Sequence, residues 1–133
     1  MKCIICNSKS GNSFKVASVF GWDVLTATEM PDLSLYCFVL FVVANTGDEE
    51  LQPEMERFLL SLRVQNKTYA ICELGNYFGY ERDCFGCKQI VQSLLRNLNW
   101  KEKANISIDS LPTMNIEIVK KWAKELNETL HNN

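Results

Sequence analysis

The sequence predicts an α/β fold in three layers, a parallel sheet with helices on both faces, and three observations lead there. Apolar runs of strand length alternate along the chain with segments whose apolar residues recur at helical spacing. The central runs are apolar throughout rather than at every second residue, as in strands buried on both faces. Three polar or glycine-containing loops, at residues 7–13, 45–50 and 75–82, each follow a strand and so fall at one end of such a sheet.

The elements follow in order. Residues 3–6, Cys-Ile-Ile-Cys, are a short buried strand that ends in the loop Asn7-Ser8-Lys9-Ser10-Gly11-Asn12-Ser13. A short helix over 14–20 is stopped by Gly21, which suits a left-handed C-terminal position. Residues 22–27 are a second strand, and Pro31 and Asp32 open a short connection with one helical turn at 32–35. Residues 36–44 are nearly all apolar and form a central strand. Pro53 suits a first helical position, Glu54 and Glu56 suit the positive end of a helix dipole, and Met55, Phe58, Leu59 and Leu62 share one face. Residues 68–74 are the fourth strand. A long amphipathic helix covers about 83–98, with Cys87, Ile90, Val91, Leu94 and Leu98 inward. Ile106 and Ile108 alternate with polar residues as on an edge strand. Pro112 precedes a last helix carrying Ile116, Val119, Ala123, Leu126 and Leu130.

With 133 residues, the chain is expected to be a single domain over 1–133. Its net charge of -2 gives no reason to expect nucleic acid or an anionic membrane as a partner. The longest apolar run, at 35–44, is about half of what a membrane-spanning helix needs. Met1-Lys2 leads straight into the first strand, so no signal peptide and a cytoplasmic location are expected. His131, the only histidine, stands near the C-terminus, which disfavours histidine catalysis or a histidine metal site.

Of six cysteines, Cys3, Cys6, Cys37 and Cys72 fall in apolar strand runs, where cysteine packs as a small hydrophobe. Three-residue spacing in a strand turns Cys3 and Cys6 to opposite faces, away from a common metal. Cys84 and Cys87 stand one turn apart near a helix start, where a thiolate is favoured, but they also continue an apolar stripe, and burial is the expectation.

The first loop carries the clearest chemistry. Ser8, Ser10, Asn12 and Ser13 can donate to phosphate oxygens, Gly11 lets the backbone approach closely, and the following helix adds its positive end. Lys9 is the one cation, so dipoles would do most of the holding.

Together the three loops resemble those of the flavodoxin family. Residues 8–13, Ser-Lys-Ser-Gly-Asn-Ser, resemble its phosphate loop. Residues 45–52, Asn-Thr-Gly-Asp-Glu-Glu-Leu-Gln, resemble its second flavin loop, and 75–80, Gly-Asn-Tyr-Phe-Gly-Tyr, its third. The resemblance spans nearly the whole chain and implies a five-stranded parallel sheet of order 2-1-3-4-5, noncovalent FMN and low-potential electron transfer between redox proteins. It assigns the phosphate to Ser8, Ser10, Gly11, Asn12 and Ser13, with Lys9 also in the cofactor site, and the rest of the flavin to Asn45, Thr46, Gly47, Asp48, Gly75, Asn76, Tyr77, Phe78 and Tyr80. Tyr80 falls where a family tyrosine stacks on the ring, with Tyr77 and Phe78 as alternatives. The Gly47–Asp48 peptide falls where the family's loop turns over with flavin redox state, and glycine tolerates both sides of such a turn. Acidic residues Asp48, Glu49, Glu50, Glu54, Glu56 and Glu81 would ring the site and favour a basic redox partner. A monomer is expected.

Three departures stand out. Thr46 replaces the aromatic that many members place in the second loop, Asn76 replaces the usual aspartate of the third, and the first helix and second connection are short. An interaction module without FMN, and a small FMN-dependent reductase, therefore stay open as alternatives. A low-molecular-weight phosphatase is excluded, because Asn12 stands where its arginine would follow Cys6. A response-regulator receiver lacks its acidic residues at Asn7 and at Ala44-Asn45.

Overall fold

In a computed structural model, which describes residues 1–45, 51–75, 86–110 and 113–131, five strands form one parallel sheet. They are β1 (Lys2–Cys6), β2 (Asp23–Thr26), β3 (Phe38–Ala44), β4 (Thr68–Gly75) and β5 (Lys101–Asp109). The order is β2-β1-β3-β4-β5, as expected. Helices α1 (Gly11–Phe20), α2 (Pro53–Ser61), α3 (Cys87–Arg96) and α4 (Ile116–His131) cover it.

Both faces of the sheet's centre are dry. β3 runs buried from Phe38 to Val43, and alternate residues feed two separate cores. Ile5, Phe41 and Ile71 point to the face covered by α2 and α3, while Ile4, Leu40 and Cys72 point to the face covered by α1 and α4. The period-two alternation accounts for this, and it also separates Cys3 from Cys6, which lie in opposite cores. Phe41 lies 6.4 Å from Tyr69 and 5.9 Å from Trp100 between ring centroids. The Trp100 indole donates to the Val64 carbonyl at 2.8 Å, which gives its polar atom a partner inside the core.

Several boundaries differ from expectation. β2 stops at Thr26, and Ala27–Glu29 form a 3-10 turn in which the Thr26 hydroxyl meets the Glu29 carboxylate at 2.8 Å. Instead of the helical turn expected at 32–35, a single hydrogen-bonded turn spans 33–36, closed by Tyr36 N–H donating to the Leu33 carbonyl. Cys37 is exposed and precedes β3 instead of packing within it. Gly21 does end α1, with φ of 71°. The full contact stripe of α3 is Cys87, Val91 and Leu95, with Ile90, Leu94 and Leu98 only partly covered. Residues 83–85, and Cys84 with them, lie outside the described residues. The fold buries Trp122 in α4 as well, beside Phe20.

Candidate functional site

The sequence placed residues 11–13 in a loop, but they form the first turn of α1. Apolar periodicity could not reveal this turn because its residues are Gly, Asn and Ser. Gly11 adopts φ of 69°, and an added Cβ would meet nothing within 4 Å, so its requirement is backbone freedom rather than space. Ser10 is the N-cap in extended backbone, yet its hydroxyl makes no cap bond. It lies 2.9 Å from the Ser8 hydroxyl.

In this architecture the helix N-termini gather at the carboxyl ends of the strands, and three of them already face acids or caps. α2 carries Glu54 and Glu56 in its first turn, and α4 carries Glu117, whose N–H donates to the Asn115 side chain at 3.1 Å. α3 is capped from a distance. The buried Glu73 carboxylate of β4 accepts from the Lys88 N–H at 2.8 Å and from the Ser107 hydroxyl at 2.9 Å. Among the described helices, α1 alone has neither an acid in its first turn nor a side chain capping it. Its positive end therefore opens onto the surface uncompensated.

What it opens onto is a cavity of about 290 Å³ at the carboxyl ends of β1, β3, β4 and β5. Ser8, Ser10, Gly11, Asn12 and Ser13 line it, together with Asn7, Ala44, Gln52, Leu74 and Ser110. The position is the reversal in strand order between β1 and β3, where open parallel sheets leave a crevice. The ends are tied together around it. The Asn45 N–H donates to the Leu74 carbonyl at 2.9 Å and the Ser110 N–H to the Gly75 carbonyl at 2.9 Å. The Asn12 amide reaches the Ser110 carbonyl at 3.4 Å.

Among the described residues, the buried atoms Asn7 Oδ1, Asn45 Oδ1 and Nδ2, and Gln52 Oε1 have no hydrogen-bond partner. Such atoms cost about 1–3 kcal/mol each when left alone, so a polar ligand that satisfied them would bind with that cost relieved. Of the residues singled out from sequence, Lys9 is exposed and does not line the cavity, while Asn45 and Gly75 flank it. Thr46, Gly47, Asp48, Asn76, Tyr77, Phe78 and Tyr80 lie outside the described residues, as do Glu49, Glu50 and Glu81. Sequence reasoning missed Asn7, Gln52 and Ser110 as lining residues. The segment after β5 is not among the three loops that the sequence singles out.

Among the described residues, the buried thiols are disfavoured as thiolates. Burial, followed by the charge of Glu73 and a hydrogen bond with it, pushes the Cys87 thiol up, away from the thiolate that a helix start favours. Burial likewise holds Cys3 and Cys72 at about 12. Among the described residues no group of His, Cys, Asp or Glu could hold a metal ion. No helix there is long and apolar enough to cross a membrane.

No protein-family model matches the sequence, and no curated protein matches it. Solved structures do. Flavodoxin 1 from Bacillus cereus superposes with a TM-score of 0.78 at 17% identity, over 99% of this chain and 98% of that one. A variant of a Pseudomonas aeruginosa flavodoxin gives 0.77 at 20%, over 98% and 99%. A Fusobacterium nucleatum flavodoxin bound to flavin mononucleotide gives 0.72 at 9%, over 96% of each chain. The chain has the flavodoxin fold. The flavodoxin fold places the carboxyl ends of β1, β3 and β4 side by side, which is why loops far apart in sequence meet at one cavity.

Glu73 is a structural residue of this fold with a measurable role. Glu73→Gln keeps the shape but removes the charge that strengthens both hydrogen bonds, and is expected to cost about 1–2 kcal/mol of stability. Urea unfolding monitored by circular dichroism checks this, and an unchanged midpoint would show that the cap of α3 contributes nothing.

Proposed function

We propose that the protein binds FMN and carries electrons between redox proteins. One observation carries the reading: the uncapped N-terminus of α1 opens, with four hydroxyl or amide side chains around it, into a cavity edged by buried amide atoms that have no hydrogen-bond partner among the described residues. A phosphomonoester suits the first feature, because N–H groups and hydroxyls donate to its oxygens and the dipole favours its charge. A polyol suits the second, because each hydroxyl both donates and accepts. FMN joins the two. Ser8, Ser10, Asn12 and Ser13 would hold the phosphate, and Asn7, Asn45 and Gln52 the ribityl hydroxyls. When bound, the flavin would supply the electron-accepting ring.

The resemblance assigns that ring to the loops at 46–50 and 76–80. Tyr80→Ala is expected to weaken FMN by about 1–3 kcal/mol and to shift the flavin spectrum, while Tyr80→Phe leaves both nearly unchanged, since stacking needs the ring and not the hydroxyl. If both variants match the parent, the contact belongs to Tyr77 or Phe78, or is absent.

Electrons would be exchanged with partner proteins rather than with a small substrate. Glu54 and Glu56 stand in the first turn of α2 beside the cavity residue Gln52, which favours a basic partner. The test is the absorbance of the purified protein with FMN added. A flavin spectrum perturbed at one equivalent supports the carrier, and an unperturbed spectrum supports the module without FMN. Oxidation of NAD(P)H by the loaded protein, with no reductase present, would move the reductase reading ahead.

A further inference from the structure

Two surface grooves share no residue with the α1 cavity. One, of about 1010 Å³, opens at the amino ends of the strands, where Lys2, Phe38 and Thr68 stand. The other, of about 660 Å³, follows the seam between α1 and α4. Lys124 and Asn127 line both, so the two grooves adjoin at these α4 residues.

The joint groove pairs an apolar floor with a basic rim. Phe14, Val19, Ile116 and Ala123 line the seam, and Phe38 and Leu130 line the strand end. Around them stand Lys2, Lys15, Lys103, Lys120 and Lys124, with Glu128 the one acid among the described lining residues and Glu117 beside Lys120. That imbalance is local, since the whole chain has 16 acidic and 14 basic residues. Two of these lysines are engaged. Lys120 pairs with Glu117 at 3.4 Å, and the Lys2 ammonium lies 4.9 Å from the centre of the Trp22 ring. Lys15, Lys103 and Lys124 form no ion pair among the described residues.

We infer that this groove docks an acidic amphipathic peptide segment of a partner protein, apolar side chains on the α1–α4 seam and carboxylates on the lysines. Charge complementarity selects the occupant. The unpaired ammoniums call for several negative charges spread along a line, and the floor calls for apolar anchors between them. The groove and the α1 cavity have no lining residue in common, so a segment held here leaves that cavity accessible. The inference stands independently of FMN.

The probe is a fluorescein-labelled peptide with leucine at every third or fourth position and glutamate at most others, titrated with the full chain and followed by anisotropy. The expected result is saturable binding that weakens with salt. It falls about tenfold or more in Lys103→Glu/Lys124→Glu and is lost when serine replaces the leucines. Both substituted lysines are exposed, and circular dichroism checks that the variant folds. Equal affinity of parent and variant overturns the proposal, as does equal binding of the serine peptide, which would make the groove a plain polyanion site. Absence of peptide binding alongside binding to phosphatidylglycerol vesicles overturns it in favour of a lipid surface. FMN titration of the same samples reports separately on the α1 cavity.

Discussion

Ser10→Ala together with Ser13→Ala is expected to weaken FMN binding by about 2–4 kcal/mol, about 30- to 1000-fold in Kd. Both hydroxyls belong to the cavity at the start of α1. Ser13 is buried within the first turn, and Ser10 lies at the N-cap with its hydroxyl turned toward Ser8 rather than the helix. Hydrogen bonds to a doubly charged phosphate in a partly buried site are the strong kind, which sets the expected size. The same pair should leave riboflavin affinity unchanged, since that ligand has no phosphate to lose. Flavin fluorescence quenching measures both. A double variant that binds FMN like the parent would remove the phosphate from this end of α1.

Phe41→Ala is expected to cost about 3–5 kcal/mol of folding stability, a large part of what a domain of this size possesses. Phe41 is fully buried in the middle of β3, paired in register with Ile5 and Ile71 and packed against Tyr69 and Trp100. Removing the ring leaves a void between an inflexible sheet and two aromatic neighbours that cannot collapse onto it. Phe41→Leu, which keeps most of the volume, should cost about 1–1.5 kcal/mol. Urea unfolding decides the matter. A midpoint that falls with an unchanged slope is the expected result, and equal midpoints for Phe41→Ala and the parent would mean that β3 is not central to the core.

Local chemistry made much of this fold legible. The unbroken apolar run of β3 marked a strand with two dry faces, the repeat of Met55, Phe58 and Leu59 marked the buried face of α2, and Gly21 marked the end of α1. Strand periodicity alone separated Cys3 from Cys6. Other features are tertiary and left no local trace. Glu73 reads as a charge stranded in an apolar strand, and its purpose depends on Lys88, fifteen residues later, and on Ser107 from the neighbouring strand. Trp100 sits just before β5 and reaches back to Val64, which no helical or strand repeat could announce.

The candidate site divides in the same way. The serines and glycine of residues 8–13 were readable because phosphate chemistry needs those residue types close together in sequence. Asn7, Gln52 and Ser110 were not, because they come from the end of β1, the N-cap of α2 and the end of β5 and converge only when the sheet forms. The start of α1 was also misplaced, because its first turn is polar. That misplacement matters, since it turns loop amides into the N–H groups of a helix.

The central claim, that the cavity at α1 recognises a flavin through its phosphate, is tested most directly by comparing FMN with riboflavin on the parent protein. The two ligands share ring and polyol and differ only in the group that α1 would hold. Titration with fluorescence quenching should show FMN binding about a hundredfold or more tighter, the size expected of several charge-assisted hydrogen bonds. Equal affinities, or failure of FMN to bind, would contradict the account.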